Sequence, residues 1–219
     1  CNAGFGGMPK HLRLPKEKND NRGAPNDYEK YYEWCKEQAR TKYLPYKDSI
    51  ISIEFYNEPD LPRFCYKPGI DTFDKMHRVF EKAFREVIPG VRIGTGSGTV
   101  AHGAEKPDFN RRMYQEIAGS GRADVAVWHA HGALSNYITR HRMVENWLKK
   151  GGRPKEKWLL GNSEAAIPSG KSTFGRLRQA DNLVRKVAWA RSQKNSLFYS
   201  WFVTSDLFDA QHVGGGGDG

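Results

Sequence analysis

The chain has 219 residues, 38% hydrophobic and 27% charged, an ordinary globular composition that is large enough for one domain with a substantial core. No apolar run approaches the roughly 20 residues that a membrane-spanning helix needs. The three cysteines, Cys1, Cys35 and Cys65, are too scattered for a disulfide framework or a CxxC metal site. The net charge of +10 favours acidic partners in general.

In chain order, "CNAGFGG" (1–7) reads as the end of a strand, with neither an initiator methionine nor a signal-peptide pattern at its start. A polar surface loop over 16–27 leads into a helix over 26–43, where Tyr28, Tyr31, Cys35 and Ala39 recur at helical spacing and Asn26 is the expected cap. "SIISIEFY" (49–56) is strand-like. "DTFDKMHRVFEKAFREV" (71–87) returns to the helical period through Phe73, Met76, Phe80, Ala83 and Val87. "GVRIGTG" follows as a short strand, and the glycine-rich "GTGSG" (94–98) reads as the loop after it, since it lacks the GKS/T that a phosphate cradle needs.

The alternation continues. A helix over 108–118 carries Phe109, Met113 and Ile117 and is closed by Gly119; "ADVAVWHA" is the next strand. A helix over 136–150 is stopped by Gly151 and Gly152, and "KWLLGN" follows as a strand. The helix over 173–191 is expected to bury Leu177, Ala180, Val184 and Val187, leaving its many basic residues on a solvated face. "SLFYSWFV" is the last strand, and the Gly-rich tail at 214–219 is expected to be flexible.

Strand centres lie roughly 33 to 40 residues apart, the size of one strand-plus-helix unit, which implies parallel strands covered by helices. The fold class is therefore α/β. A TIM-type (β/α) barrel typically needs about 250 residues, so a barrel here is apparently incomplete. It would lack two N-terminal units, most of a third and the last helix, and residues 1–219 would be a partial catalytic domain whose barrel a partner segment completes. A doubly wound sheet is the alternative that needs no missing strands.

Parallel α/β folds place their chemistry where strands end. Two strands here end in glutamate: "IEFYNEP" at Glu58 and "WLLGNSE" at Glu164. Counting the strand of Glu58 as first, that of Glu164 is fourth, so a closed barrel sets them across its mouth. Paired carboxylates suit glycosidic cleavage, one protonating the leaving oxygen and the other meeting the anomeric carbon. The plain reading of either residue alone is solvent exposure or a helix cap. Pro59 ends the strand and biases Glu58 away from the helical region. Asn57 can donate to a sugar 2-hydroxyl. Glu54, on the same strand face as Glu58, reads as a hydrogen-bonded interior residue. His129 and His131 share one face of their strand. His-x-His at a strand end is also a familiar zinc pair, although no third ligand stands out among His102, His141 and His212.

These motifs carry a resemblance. "FYNEPDL" resembles the fourth-strand motif of clan A glycoside hydrolases, and most closely that of their xylosidase and iduronidase-like members. "WLLGNSEAA" is similar to their seventh strand, "DVAVWHAHGA" to the sixth, "FYSWFVTSD" to the eighth and "GFGGMPKHL" to the third-strand end. The resemblance implies a retaining glycosidase with Glu58 as acid/base, Glu164 as nucleophile, and Trp201 as a sugar-stacking platform. It further implies no cofactor, an oligo- or polysaccharide substrate, and an extracellular or periplasmic location. The net charge of +10 points to an anionic glycan unless it is spread over solvated helix faces; the basic residues of 176–194 alternate with helical apolar positions, so no nucleic acid is expected, and the lack of a long apolar run leaves no membrane as partner. The family often has His-x-Tyr where this chain has "HAH", so His131 departs from the pattern beside the nucleophile. Three other readings fit the same residues: a carbohydrate-binding relative without catalysis, an inactive fragment, and a metal-dependent hydrolase using the His-x-His pair.

Overall fold

Parallel pairing runs in strict chain order through the computed structural model, which describes residues 2–5, 7–17, 20–61, 68–100, 107–165 and 173–201. Strand β1 (Asn2–Phe5) pairs with β2 (Ser52–Phe55). Strand β3 (Ala126–His129) pairs with β4 (Leu160–Ala165), and β4 with β5 (Ser196–Trp201). The segment 93–98 joins the two sets through parallel bridges, Ile53 to Ile93 and Asn57 to Ser97 on one side, Gly94 to Val125 and Gly98 to Trp128 on the other. A doubly wound sheet reverses its strand order at a switch point. No reversal occurs among the described strands, so the winding is of the barrel kind.

The expectation for "GTGSG" needs correction. It runs within the sheet, and the lack of side chains is what lets it do so: a Cβ on Gly96 would sit 2.8 Å from the Pro59 ring, and one on Gly94 2.8 Å from Val127. The interrupted ladder is completed by side chains. The Tyr114 hydroxyl donates to the Val127 carbonyl at 2.7 Å and accepts from the Gly98 amide at 3.1 Å, while Val127 N donates to Thr95 Oγ1 at 3.0 Å.

All four residues of β2 and all four of β3 are buried, as strands covered on both faces must be. The helices are α1 (Tyr28–Gln38), α2 (Ile70–Val87), α3 (Pro107–Arg112), α4 (Leu134–Lys150) and α5 (Thr173–Ser192). Helix α1 is capped by Asp27, which accepts from the amides of Glu29 and Lys30; the expected cap, Asn26, instead donates to the Arg13 carbonyl. Phe5, Phe55, Phe73, Phe80 and Phe84 form one aromatic core beneath β1, β2 and α2. Trp128, Tyr137, His141, Trp189 and Tyr199 form another around β3, α4 and α5.

Helix α5 corrects a second expectation. Leu177 and Val184 are about two-thirds exposed, at 65% and 66%, whereas Asn182, Lys186 and Ala190 are buried. The physical reason is Trp189: its ring meets His141 at 4.9 Å and Tyr137 at 5.5 Å, and these aromatic contacts set the helix rotation against the smaller aliphatics Leu177 and Val184. The predicted tail at 214–219 lies outside the described residues, and among the described helices none is long and apolar enough to cross a membrane.

His77, on the core face of α2, yields a pH prediction. It is fully buried among Phe55, Phe73 and Phe80, with Nε2 donating to the Gly94 carbonyl at 3.2 Å and Nδ1 lacking any partner. Burial pushes its pKa down to about 4, against the opposing pull of the Gly94 carbonyl. In the unfolded chain the imidazole protonates near pH 6.5. As pH falls from about 6.5 to about 4, the unfolded state therefore gains a proton that the native state refuses, and stability falls by roughly 3 kcal/mol. Urea unfolding across that window should show the loss, and His77→Gln, which keeps a donor for Gly94 and cannot titrate, should shed that share of it. An identical acid loss in both proteins would refute the assignment.

Candidate active site

The loop after β2 places Glu58 by an unusual backbone route. Tyr56 and Glu58 have positive φ angles of 64° and 41°, a left-handed conformation that costs a non-glycine residue on the order of 1 kcal/mol. Pro59 keeps Glu58 out of the right-handed helical region, as expected, but the residue sits on the left-handed side. Three hydrogen bonds hold the turn: Glu58 N donates to the Ser97 carbonyl at 3.1 Å, Ser97 N to Tyr56 at 3.1 Å, and Leu61 N to Glu58 at 3.0 Å.

Asp60 anchors the same turn from below. It is fully buried and accepts from Thr99 N at 3.0 Å, from the Thr99 hydroxyl, and from Asn110 Nδ2 at 2.9 Å. The loop carrying Glu58 is thereby tied to the end of segment 93–98 and to α3. Beside it, Ser97 Oγ donates to Glu54 at 2.6 Å, making Glu54 the buried, bonded interior residue expected of it.

Glu164 reaches the same place through a bulge. His129 pairs with Glu164 although Trp128 pairs with Asn162, so Ser163 is an extra residue in β4. A bulge of this kind re-aims the side chains that follow it. Glu164 lies within β4, at the end of the strand where "WLLGNSE" puts it, and Ala130 N donates to its carbonyl at 3.0 Å.

The two glutamates meet at His129. Its Nδ1 is 3.0 Å from Glu58 Oε1 and 3.7 Å from Glu164 Oε2, and its Nε2 is 3.1 Å from Ser163 Oγ. His131 Nε2 stands 3.6 Å from Glu164 Oε2. One nitrogen from each histidine and one oxygen from each glutamate all lie within 4.8 Å of one another. The His129 side chain is 1% exposed, Glu58 18%, Glu164 25% and His131 43%, so the cluster grades from the protein interior to solvent.

Burial alone would lower the pKa of His129, but the hydrogen bond to Glu58 and the charge of Glu164 outweigh it, and the net shift is upward. Burial would likewise raise Glu164, yet the bond to His131 and the two histidine charges prevail and hold its carboxyl below the ordinary range. Glu164 is thus an ionised carboxylate at neutral pH.

The remaining predicted residues fall around this centre. Asn57 is exposed beside Glu58, with its Oδ1 3.2 Å from Ser97 Oγ. Trp201 ends β5 in register with Ala165, next to Glu164; its side chain lies outside the described residues. Of the histidines weighed as zinc ligands, His102 and His212 lie outside the described residues, and His141 is buried at α4, 3.6 Å from Glu145. Ser163 and Asp60 were not singled out from sequence. "GNSE" and "NEPD" put a polar residue beside each glutamate, but neither string announces a bulge or a buried carboxylate.

Neither a described protein family nor a curated protein matches the sequence. Solved structures do resemble the fold. A monomeric β-xylosidase from Caulobacter crescentus superposes with a TM-score of 0.70 at 17% identity, covering 94% of this chain and 45% of that one. A GH39 enzyme from Xanthomonas axonopodis pv. citri gives 0.70 at 15% identity, with 93% and 44% covered. A glucosidase from Croceicoccus marinus gives 0.63 at 17%, with 82% and 40% covered. The chain spans less than half the length of these three neighbours, and likeness at such identities establishes a shared α/β fold.

Proposed function

We propose that this chain carries the active face of a retaining glycoside hydrolase, with Glu164 as nucleophile and Glu58 as acid/base, acting on an oligo- or polysaccharide. The observation that carries the reading is the approach of the two carboxylates to within 4.8 Å at the ends of β2 and β4. An upper bound of 4.8 Å between one oxygen of each lies nearer the retaining geometry, about 5 to 5.5 Å, than the inverting one, about 6.5 to 9.5 Å. The fold shared with a xylosidase and a glucosidase supports the same reading.

In the first step a Glu164 oxygen attacks the anomeric carbon as its bond to the leaving oxygen breaks, and that oxygen takes a proton from Glu58. The 3.0 Å contact between Glu58 Oε1 and His129 Nδ1 holds one proton between them; with a second on His129 Nε2, donating to Ser163 Oγ, the pair carries one proton more than a neutral imidazole beside a carboxylate, and that is the proton delivered. In the second step the deprotonated pair takes a proton from water, which attacks the same carbon and releases Glu164. Asn57 bonds the sugar 2-hydroxyl, His131 steadies the Glu164 oxygen, and Trp201 supplies the stacking face. The six paired segments are consecutive strands of a TIM-type barrel that a further segment closes, and the protein works outside the cytoplasm.

Leaving-group dependence tests the acid role. Glu58→Ala should cut turnover of unactivated glycosides by about 10²- to 10⁴-fold, while nitrophenyl glycosides, whose leaving groups need no proton, keep their first step. Equal loss on both substrate types would remove Glu58 from that role. Sugar affinity without hydrolysis in the unaltered protein would instead mark a binding relative.

A further inference from the structure

Four side chains that meet at one point invite a second question: what else would they hold? No third zinc ligand stands out among the other histidines. The structure offers two carboxylates instead. A tetrahedral Zn²⁺ with bonds of about 2.0 to 2.1 Å places its ligand atoms roughly 3.3 to 3.4 Å apart. The separations here are 3.0 Å from His129 Nδ1 to Glu58, 3.7 Å from His129 Nδ1 to Glu164 and 3.6 Å from His131 Nε2 to Glu164. The remaining separations are within 4.8 Å, so side-chain shifts that close them would bring all four atoms onto one ion.

We propose that Glu58, His129, His131 and Glu164 form a binding site for a single first-row divalent transition ion such as Zn²⁺, and that an ion there excludes glycoside hydrolysis. The binding half stands on geometry alone; the exclusion half rests on the hydrolase reading, because the ion occupies both glutamates at once. Two further features fit. The second nitrogen of His129 bonds Ser163 Oγ, the kind of outer partner that orients a metal-ligating imidazole. The exposure gradient from His129 to His131 leaves the cluster reachable from solvent. Two imidazole nitrogens also set the selectivity, since Mg²⁺ and Ca²⁺ prefer oxygen ligands throughout.

The test is metal uptake by the full chain without substrate. Calorimetric titration with Zn²⁺, and the visible absorption of Co²⁺ as a reporter of four-coordination, should give one ion per chain, with none taken up from Mg²⁺ or Ca²⁺. His131→Ala is the first variant, because an exposed side chain can be removed without unfolding the protein. It should weaken Zn²⁺ binding about 100-fold, and Ser163→Ala about tenfold. His11→Ala, at an exposed histidine remote from the cluster, should leave uptake unchanged. Absence of stoichiometric uptake, or uptake that survives His131→Ala intact, overturns the site.

Hydrolysis is measured separately. Glycoside turnover without Zn²⁺ uptake sinks this inference and spares the glutamate roles, whereas Zn²⁺ uptake by a protein that cleaves no glycoside does the reverse. Turnover that persists at full Zn²⁺ occupancy overturns the exclusion.

Discussion

Glu164→Gln should abolish glycoside turnover, by about 10⁴-fold or more, while leaving substrate affinity nearly unchanged. The amide keeps the shape of the carboxylate and its place opposite His129 and His131, but its oxygen is too weak a nucleophile to form the glycosyl intermediate. The size of the effect follows from what is removed: an ionised carboxylate held in that state by two histidines. A shorter variant separates chemistry from misfolding. Glu164→Ala opens space on the attacking side, so a small anion such as azide should restore turnover and give a product of opposite anomeric configuration. Activity of Glu164→Gln within tenfold of the parent would dismiss Glu164 as nucleophile and leave Glu58 to be explained afresh.

Asp60→Ala should produce the largest loss of stability, about 3 to 5 kcal/mol. Asp60 is a fully buried carboxylate with three donors aimed at it, from Thr99 N, the Thr99 hydroxyl and Asn110, and its charge also favours the cation of Arg140. Alanine strands those donors away from water. At roughly 2 to 4 °C per kcal/mol for a chain of this size, the melting temperature should fall on the order of 10 °C. Asp60→Asn should recover part of the loss, because one acceptor oxygen remains while the other becomes a donor facing donors. Differential scanning calorimetry of the two variants checks the order. A melting shift under 2 °C for Asp60→Ala would mean that the turn carrying Glu58 is held by its backbone bonds alone.

Much of the fold was legible because its signals are local and strong. The 3.6-residue period of Phe73, Met76, Phe80 and Ala83 fixes both the existence of α2 and its buried face, and those residues are all buried. The regular spacing of the strands implied parallel pairing, and the pairing is parallel throughout the described sheet. The failures have a common cause, in that each depends on a partner distant in sequence. The rotation of α5 is decided by Trp189 against Tyr137 and His141 on another helix. "GTGSG" reads as a loop until β2 and β3 are placed on either side of it. At the site, the strand-end positions of Glu58 and Glu164 are plain in "NEPD" and "GNSE". The extra residue at Ser163 and the left-handed angles at Tyr56 and Glu58 leave no such trace, since bulges and turns of this kind accept many sequences.

Those left-handed angles bear on how the protein can drift. At φ of 41° most side chains are disfavoured relative to glycine or asparagine, so the backbone at position 58 would be more comfortable with a residue that has no proton to give. Substitution by glycine or asparagine there leads downhill in conformational energy and away from chemistry at the same time. Stability screens of variant libraries will therefore tend to enrich inert proteins at this position, and any effort to make the fold more robust must hold position 58 fixed and look for its gains elsewhere.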